Sequence, residues 1–204
     1  MISADRVLTE PQLNRFLKRL RTEKERAVLA LQGSHRRNPK EARIIMDYFL
    51  FSLICNTGLR ISEALSLMWS DIHEDFLIIR PEVSKNKKRG TVYFGNKTKK
   101  LLKEFQDTKI SVLKKEELDN LFSLGGPSPS RCYMHLRFKF WLQQTGLPPT
   151  LSIHSLRHTY ATLCLERGLP LTFVRDNLRH SHIAITSQYL HLTQASRDKI
   201  KDIF

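Results

Sequence analysis

The run EARIIMDYFLFSLICNTG, from Glu41 to Gly58, constrains this chain more than any other stretch. Its middle is apolar on nearly every side of a helical projection, so it is expected to form a largely buried helix with other elements packed around it. Asn56 and Gly58 supply the stop, because glycine closes a helix in the left-handed conformation at little steric cost. At 204 residues the chain is long enough to bury such a helix without disulfides or metals, and a single domain over 1–204 accounts for it.

The rest of the pattern is mostly helical. LTEPQLNRFLKRL opens with a capping Thr9 and Pro11, and places Leu13, Phe16, Leu17 and Leu20 on one helical face. GSHRRNPK, Gly33 to Lys40, is a polar basic loop, and RISEALSLMW is a short helix directly after Gly58. FLIIRPEV and GTVYFG are β-branched and aromatic runs on either side of SKNKKR, which predicts a hairpin with a basic tip. KTKKLLKEFQDTK and RCYMHLRFKFWLQQTG predict two more helices, separated by the loop GGPSPS. HSLRHTYATLCLERG, TFVRDNLRH and a helix near TSQYLHL complete the chain. The fold class is mainly α with a small antiparallel β-sheet, and no internal repeat or low-complexity linker divides it.

Cys55, Cys132 and Cys164 are odd in number, far apart and flanked by apolar residues, so they read as buried free thiols of a reducing, cytoplasmic compartment. No apolar run has the length of a membrane span, and MISADRVLTEPQ lacks the layout of a signal peptide. The formal net charge of +14 is concentrated. Ser84 to Lys103 holds seven lysines and one arginine with no acid, among them Lys85, Lys87, Lys88, Arg89, Lys97, Lys99 and Lys100. A self-repelling cluster of this kind is explained by a polyanionic partner, with nucleic acid ahead of an anionic membrane because no amphipathic apolar face accompanies it. A merely solvated basic surface is the competing explanation.

In SIHSLRHTY, His154, Arg157 and His158 share one face of a helix that runs on into the apolar TYATLCL. A solvated helix start explains those residues taken alone. The histidine pair has the spacing of a zinc site, but Ser155 stands where a metalloprotease carries glutamate and Arg157 would repel the cation, so no metal or other cofactor is expected. Company at a distance changes the balance. Arg60 follows the glycine stop with Glu63 one turn on, and LRHSHIAITSQYLHL adds His180 and Tyr189.

In order and spacing this set resembles the tyrosine recombinases, or phage-type integrases, whose hallmark boxes look like TGLRISEAL, HSLRHTYAT and LRHSHIAITSQYLHL. Lys85 lies 25 residues after Arg60, His180 lies 23 after Arg157, and Tyr189 lies 9 after His180. The resemblance covers essentially the whole chain, and it implies the family's catalytic-domain architecture without the separate N-terminal core-binding domain of many members. It also implies site-specific cleavage and rejoining of double-stranded DNA through a covalent 3′-phosphotyrosyl intermediate, by a homo-oligomer (dimer or tetramer) on DNA. Tyr189 would be the nucleophile. Arg60 and Arg157 would hold the non-bridging phosphate oxygens, Lys85 would protonate the leaving 5′-oxygen, and His154 and His180 would share proton transfer. His158 is taken as a structural helix residue, and His182 and His191 as surface or DNA-backbone neighbours.

Three positions depart from the family pattern: Arg179 and Ser84 replace glycines, and Ser155 replaces an aspartate. Arg179 bears on the turn that places His180. Two alternatives stay open on sequence: a DNA-binding regulator that has the fold and does not cut, and a type IB topoisomerase or telomere-resolving activity. In the tail, residues 195–204, Ile200, Ile203 and Phe204 sit at helical spacing and dock either on a neighbouring protomer or in cis.

Overall fold

The computed structural model describes residues 3–33, 38–84, 87–113, 119–124 and 127–190. Helix α1 spans Glu10–Gln32 and begins as expected, with the Thr9 hydroxyl accepting the Gln12 N–H while the Gln12 side chain accepts the Thr9 N–H. Leu13, Phe16 and Leu20 are buried, and Leu17 is packed beside them. Helix α2 spans Pro39–Thr57 and is buried without interruption from Ile45 to Cys55. It lies against α1, against α4 (Asn96–Ser111) and against α6 (Ile153–Glu166).

Phe16 of α1, Phe51 of α2 and Phe138 of α5 (Arg131–Gln144) meet with ring centroids 5.4–6.1 Å apart. Phe105 of α4 stacks on Phe49 at 4.4 Å and on Phe122 at 5.3 Å. Such pairs each add about 0.5–1.5 kcal/mol beyond the area they bury. The one carboxylate in the buried stretch of α2, Asp47, accepts from Arg137 at 2.5 Å and from the Trp141 indole at 2.8 Å, so the helix carries it without leaving it unpaired.

The short helix α3, Ile61–Leu65, ends earlier than the sequence suggests, because Met68 turns into a bridge with Asn120. The hairpin is antiparallel, with β1 (Phe76–Ile79) and β2 (Gly90–Tyr93) in the register Phe76↔Tyr93 to Ile79↔Gly90. Helix α7 spans Leu171–Leu178 and α8 spans Ile183–Ser187, so the last described helix stops before Tyr189 and does not contain it. Of the cysteines, Cys55 is buried and Cys164 half-buried, while Cys132 is exposed on the first turn of α5, contrary to the expectation of three buried thiols. The tail at 195–204 and His191 lie outside the described residues, as does part of each of the loops at 33–40 and 125–130. No helix among the described residues is long and apolar enough to cross a membrane.

Candidate active site

The end of α2 is where the site begins. Gly58 adopts φ 67, and a Cβ there would lie 2.5 Å from the Tyr160 ring and 2.6 Å from Leu178, so both backbone and space demand glycine. Its carbonyl accepts from Arg157 Nη1 at 2.6 Å, and Arg157 Nη2 donates to the carbonyl of Leu178 at 2.5 Å. Arg157 is therefore a buried tie between the ends of α2 and α7, set on α6. Each terminal guanidinium nitrogen carries two hydrogens, so these bonds orient the group and still leave donors for an anion. Burial lowers its pKa to about 9, Arg60 adds to the effect, and Glu63 opposes it.

Arg60 caps α3, and Glu63 holds it as the spacing suggests. The Glu63 carboxylate accepts from Arg60 Nη1 and from the Arg60 N–H, both at 2.8 Å. It also pairs with Arg179. Burial alone would raise the Glu63 pKa, but Arg179 and the Arg60 N–H outweigh it and hold the carboxyl below its usual range.

Three histidines share this electrostatic field. His154, exposed at the first turn of α6, is held well below the ordinary histidine range by burial of its inner edge, then by Arg157 and Arg60. His158, half-buried one turn on, meets His154 edge-on with centroids 4.5 Å apart, and burial, His154 and Arg157 push it down to about 4. His180 falls to about 3 through burial, Arg157 and Arg60. All three are neutral at pH 7. His180 Nδ1 is engaged by the Thr186 hydroxyl at 2.8 Å, which leaves Nε2 for a ligand.

Tyr189 is buried in a small second core with Ala161, Val174 and Leu178. Its ring is parallel to that of His180, with centroids 6.4 Å apart, and its hydroxyl meets His158 Nδ1 at 2.8 Å. Burial raises its pKa, and Arg157 and Arg60 pull the other way. Arg60, His154, Arg157, His180 and Tyr189, drawn from α3, α6 and the segment after α7, thus come together. His158, read from sequence as merely structural, stands among them. Lys85 lies outside the described residues.

Arg179 occupies the left-handed region, φ 54, at a position where the chain carries no glycine. Its stem covers Gly90 of β2, where an added Cβ would collide with Arg179 Cδ. Two residues earlier, Asn177 accepts the Tyr93 N–H at 2.6 Å and donates to the Tyr93 carbonyl at 3.1 Å and to the Tyr160 hydroxyl at 2.7 Å. It acts as a one-residue strand partner for β2. Sequence reasoning missed Asn177, for a lone asparagine before a helix end carries no signal of a partner so distant.

The basic residues expected to meet DNA fall into separate groups. Lys87, Lys88 and Arg89 are exposed on the hairpin connection. Lys97 and Lys100 line a cavity of about 650 Å³ together with Lys18, Arg21 and Glu104. Lys99 lies 3.5 Å from Glu74. His182 is exposed at the start of α8.

A mostly helical domain with one two-stranded antiparallel sheet, folded in this way, has the architecture of a tyrosine recombinase catalytic domain. The chain belongs to the phage integrase family, whose sequence profile matches residues 6–196. It is 33% identical over 154 residues to the tyrosine recombinase XerD of Corynebacterium glutamicum, covering 74% of this chain and 50% of that protein. Among solved structures it is similar to the XerH site-specific recombinase bound to palindromic difH substrate in a post-cleavage complex, with TM-score 0.74, 22% identity and 98% of this chain covered against 54% of that one. The XerA recombinase gives TM-score 0.73 at 22% identity, covering 96% of this chain and 64% of that one. The chain spans about half the length of the curated relatives it matches.

Proposed function

We propose that this chain is the catalytic domain of a site-specific recombinase that cleaves and rejoins double-stranded DNA through a phosphotyrosine at Tyr189. The observation that carries this is the placement of Tyr189 in the field of Arg60 and Arg157, its ring parallel to His180 and its hydroxyl hydrogen-bonded to His158 beside His154. Attack by a tyrosine oxygen builds charge on the non-bridging phosphate oxygens, and fixed guanidinium groups that need no reorganisation stabilise that charge. Arg157 is oriented by two carbonyls and Arg60 by Glu63, so both guanidiniums are held before DNA arrives. Neutral His154 and His180 each carry one N–H and one bare nitrogen, suited to donating to phosphate and to passing a proton. Lys85, which precedes Lys87, Lys88 and Arg89 in sequence, is assigned the acid that protonates the leaving 5′-oxygen. Storing the phosphodiester in a tyrosyl ester conserves its energy for rejoining, so this scheme uses neither nucleotide nor metal.

The DNA-bound form is proposed to be a homo-oligomer, acting inside the cell at its DNA. Support comes from the likeness to a recombinase bound to a palindromic substrate. The test is a library of end-labelled duplexes of randomised sequence, incubated with the chain and resolved under denaturing conditions. A protein–DNA adduct that survives denaturation and disappears in Tyr189→Phe is expected. DNA binding without any adduct would instead favour a regulator built on this fold.

A further inference from the structure

We propose that His158 is the base that accepts the phenolic proton of Tyr189 as its oxygen attacks phosphorus. This rests on the tyrosine mechanism proposed above, and it assigns a role to a histidine outside the set expected from sequence. The geometry is direct: Tyr189 Oη and His158 Nδ1 are 2.8 Å apart, within the range for proton transfer between heavy atoms. The neighbouring histidines do not compete for the same hydrogen. His180 lies parallel to the Tyr189 ring and engages Thr186 through Nδ1. His154 stands at the mouth of the site, edge-on to His158.

The charged and titratable groups facing His158 are Arg6 from the N-terminal turn, His154 and Arg157 on α6, and Tyr189 and His180 from the segment after α7. Burial, His154 and the nearby cations hold its pKa at about 4. With hydrogen on Nε2, Nδ1 is the bare acceptor that the Tyr189 hydroxyl requires. A bound phosphodiester brings negative charge beside Arg60 and Arg157, which offsets the repulsion that an imidazolium at His158 would otherwise meet.

The step balances without a co-reactant. The Oη–H bond breaks and its proton moves to His158 Nδ1. An Oη–P bond forms as the P–O5′ bond breaks, and the departing oxygen takes a proton from the proposed acid. On rejoining, the 5′-hydroxyl gives its proton back to the proposed acid as its oxygen attacks phosphorus, the Oη–P bond breaks, and His158 returns its proton to the tyrosyl oxygen.

The experiment uses the duplexes that form the adduct with the unaltered chain, and follows the adduct rate from about pH 5.5 to about pH 8.5. His158→Asn keeps an oxygen acceptor near the place of Nδ1 but cannot carry the proton, so it separates holding the tyrosine from deprotonating it. The unaltered chain should show a rate that does not rise with pH. His158→Asn should be slower by about 100-fold at neutral pH and should gain about tenfold per pH unit, as the reaction comes to depend on free phenolate. Tyr189→3-fluorotyrosine, a more acidic phenol, should recover rate selectively in the His158→Asn background, which a merely misfolded variant would not do. His158→Asn with the unaltered rate and pH profile overturns the proposal, as does His158→Asn that reacts faster, for then the contact holds Tyr189 back. No adduct with the unaltered chain overturns the tyrosine mechanism itself, and this proposal with it.

Discussion

Arg179 reaches from the end of α7 to Glu63 on α3, and the same carboxylate also holds Arg60. A residue in the left-handed region costs roughly 1–2 kcal/mol relative to glycine, yet here the side chain that glycine lacks closes the electrostatic frame of the site. Glu63 is 1% exposed and faces two guanidiniums, so its charge is the counterweight that lets Arg60, Arg157 and Arg179 coexist.

Glu63→Gln should lower stability by about 3 kcal/mol at neutral pH, because two partly buried cations lose their anion. The pH dependence has a definite sign. The folded-state pKa of Glu63 is depressed, so its contribution is present above the ordinary carboxylate pKa and is lost as pH falls through the lower, folded value. Denaturant melts of both proteins should therefore differ most near neutrality and converge in acid. A gap that persists unchanged at low pH would show that the carboxylate charge is not what stabilises.

Gly90→Ala should destabilise the chain by about 1–3 kcal/mol, since the new methyl meets the Arg179 stem. In an Arg179→Gly background that cost should largely vanish. A double-mutant cycle measured by urea denaturation reads the coupling, and additive effects would place the stem elsewhere in solution.

Asn177→Leu should release β2 from α7. Three hydrogen bonds are lost, two of them to the Tyr93 backbone, with an expected cost of about 2–3 kcal/mol. The specific readout is amide exchange: Tyr93 N–H should lose protection more than Val92 does. Equal changes at both would point to a general loosening.

Lys85→Ala should cleave ordinary DNA very slowly, yet cleave a substrate with sulfur in place of the bridging 5′-oxygen at close to the normal rate. A thiol with a pKa of about 8.5 leaves unprotonated, whereas an alkoxide does not. Arg60→Ala should stay slow on both, because charge on the non-bridging oxygens still develops. Rescue of Lys87→Ala in place of Lys85→Ala would move the acid along the hairpin.

Much of the fold is legible in local stretches of the chain. The α2 helix, its stop at Gly58, the cap at Thr9 and the hairpin between Phe76 and Tyr93 depend on residues close in sequence, where periodicity and turn chemistry act directly. The Arg60–Glu63 pair is equally local, one helical turn apart. The end of α8 ahead of Tyr189 is not legible in this way, since Gln188 and Tyr189 suit a helix as well as the turn they adopt.

Amino-acid order by itself determined the helices, the hairpin and the residue types available for phosphate chemistry. Only tertiary structure decided their distant partners. The His158–Tyr189 bond joins residues 31 apart, Asn177 finds Tyr93 across 84, and Arg179 finds Glu63 across 116. Contacts of this kind arise when separately specified elements pack, and which polar groups then face each other depends on the geometry of the whole core, which leaves no periodic or compositional trace in any one segment.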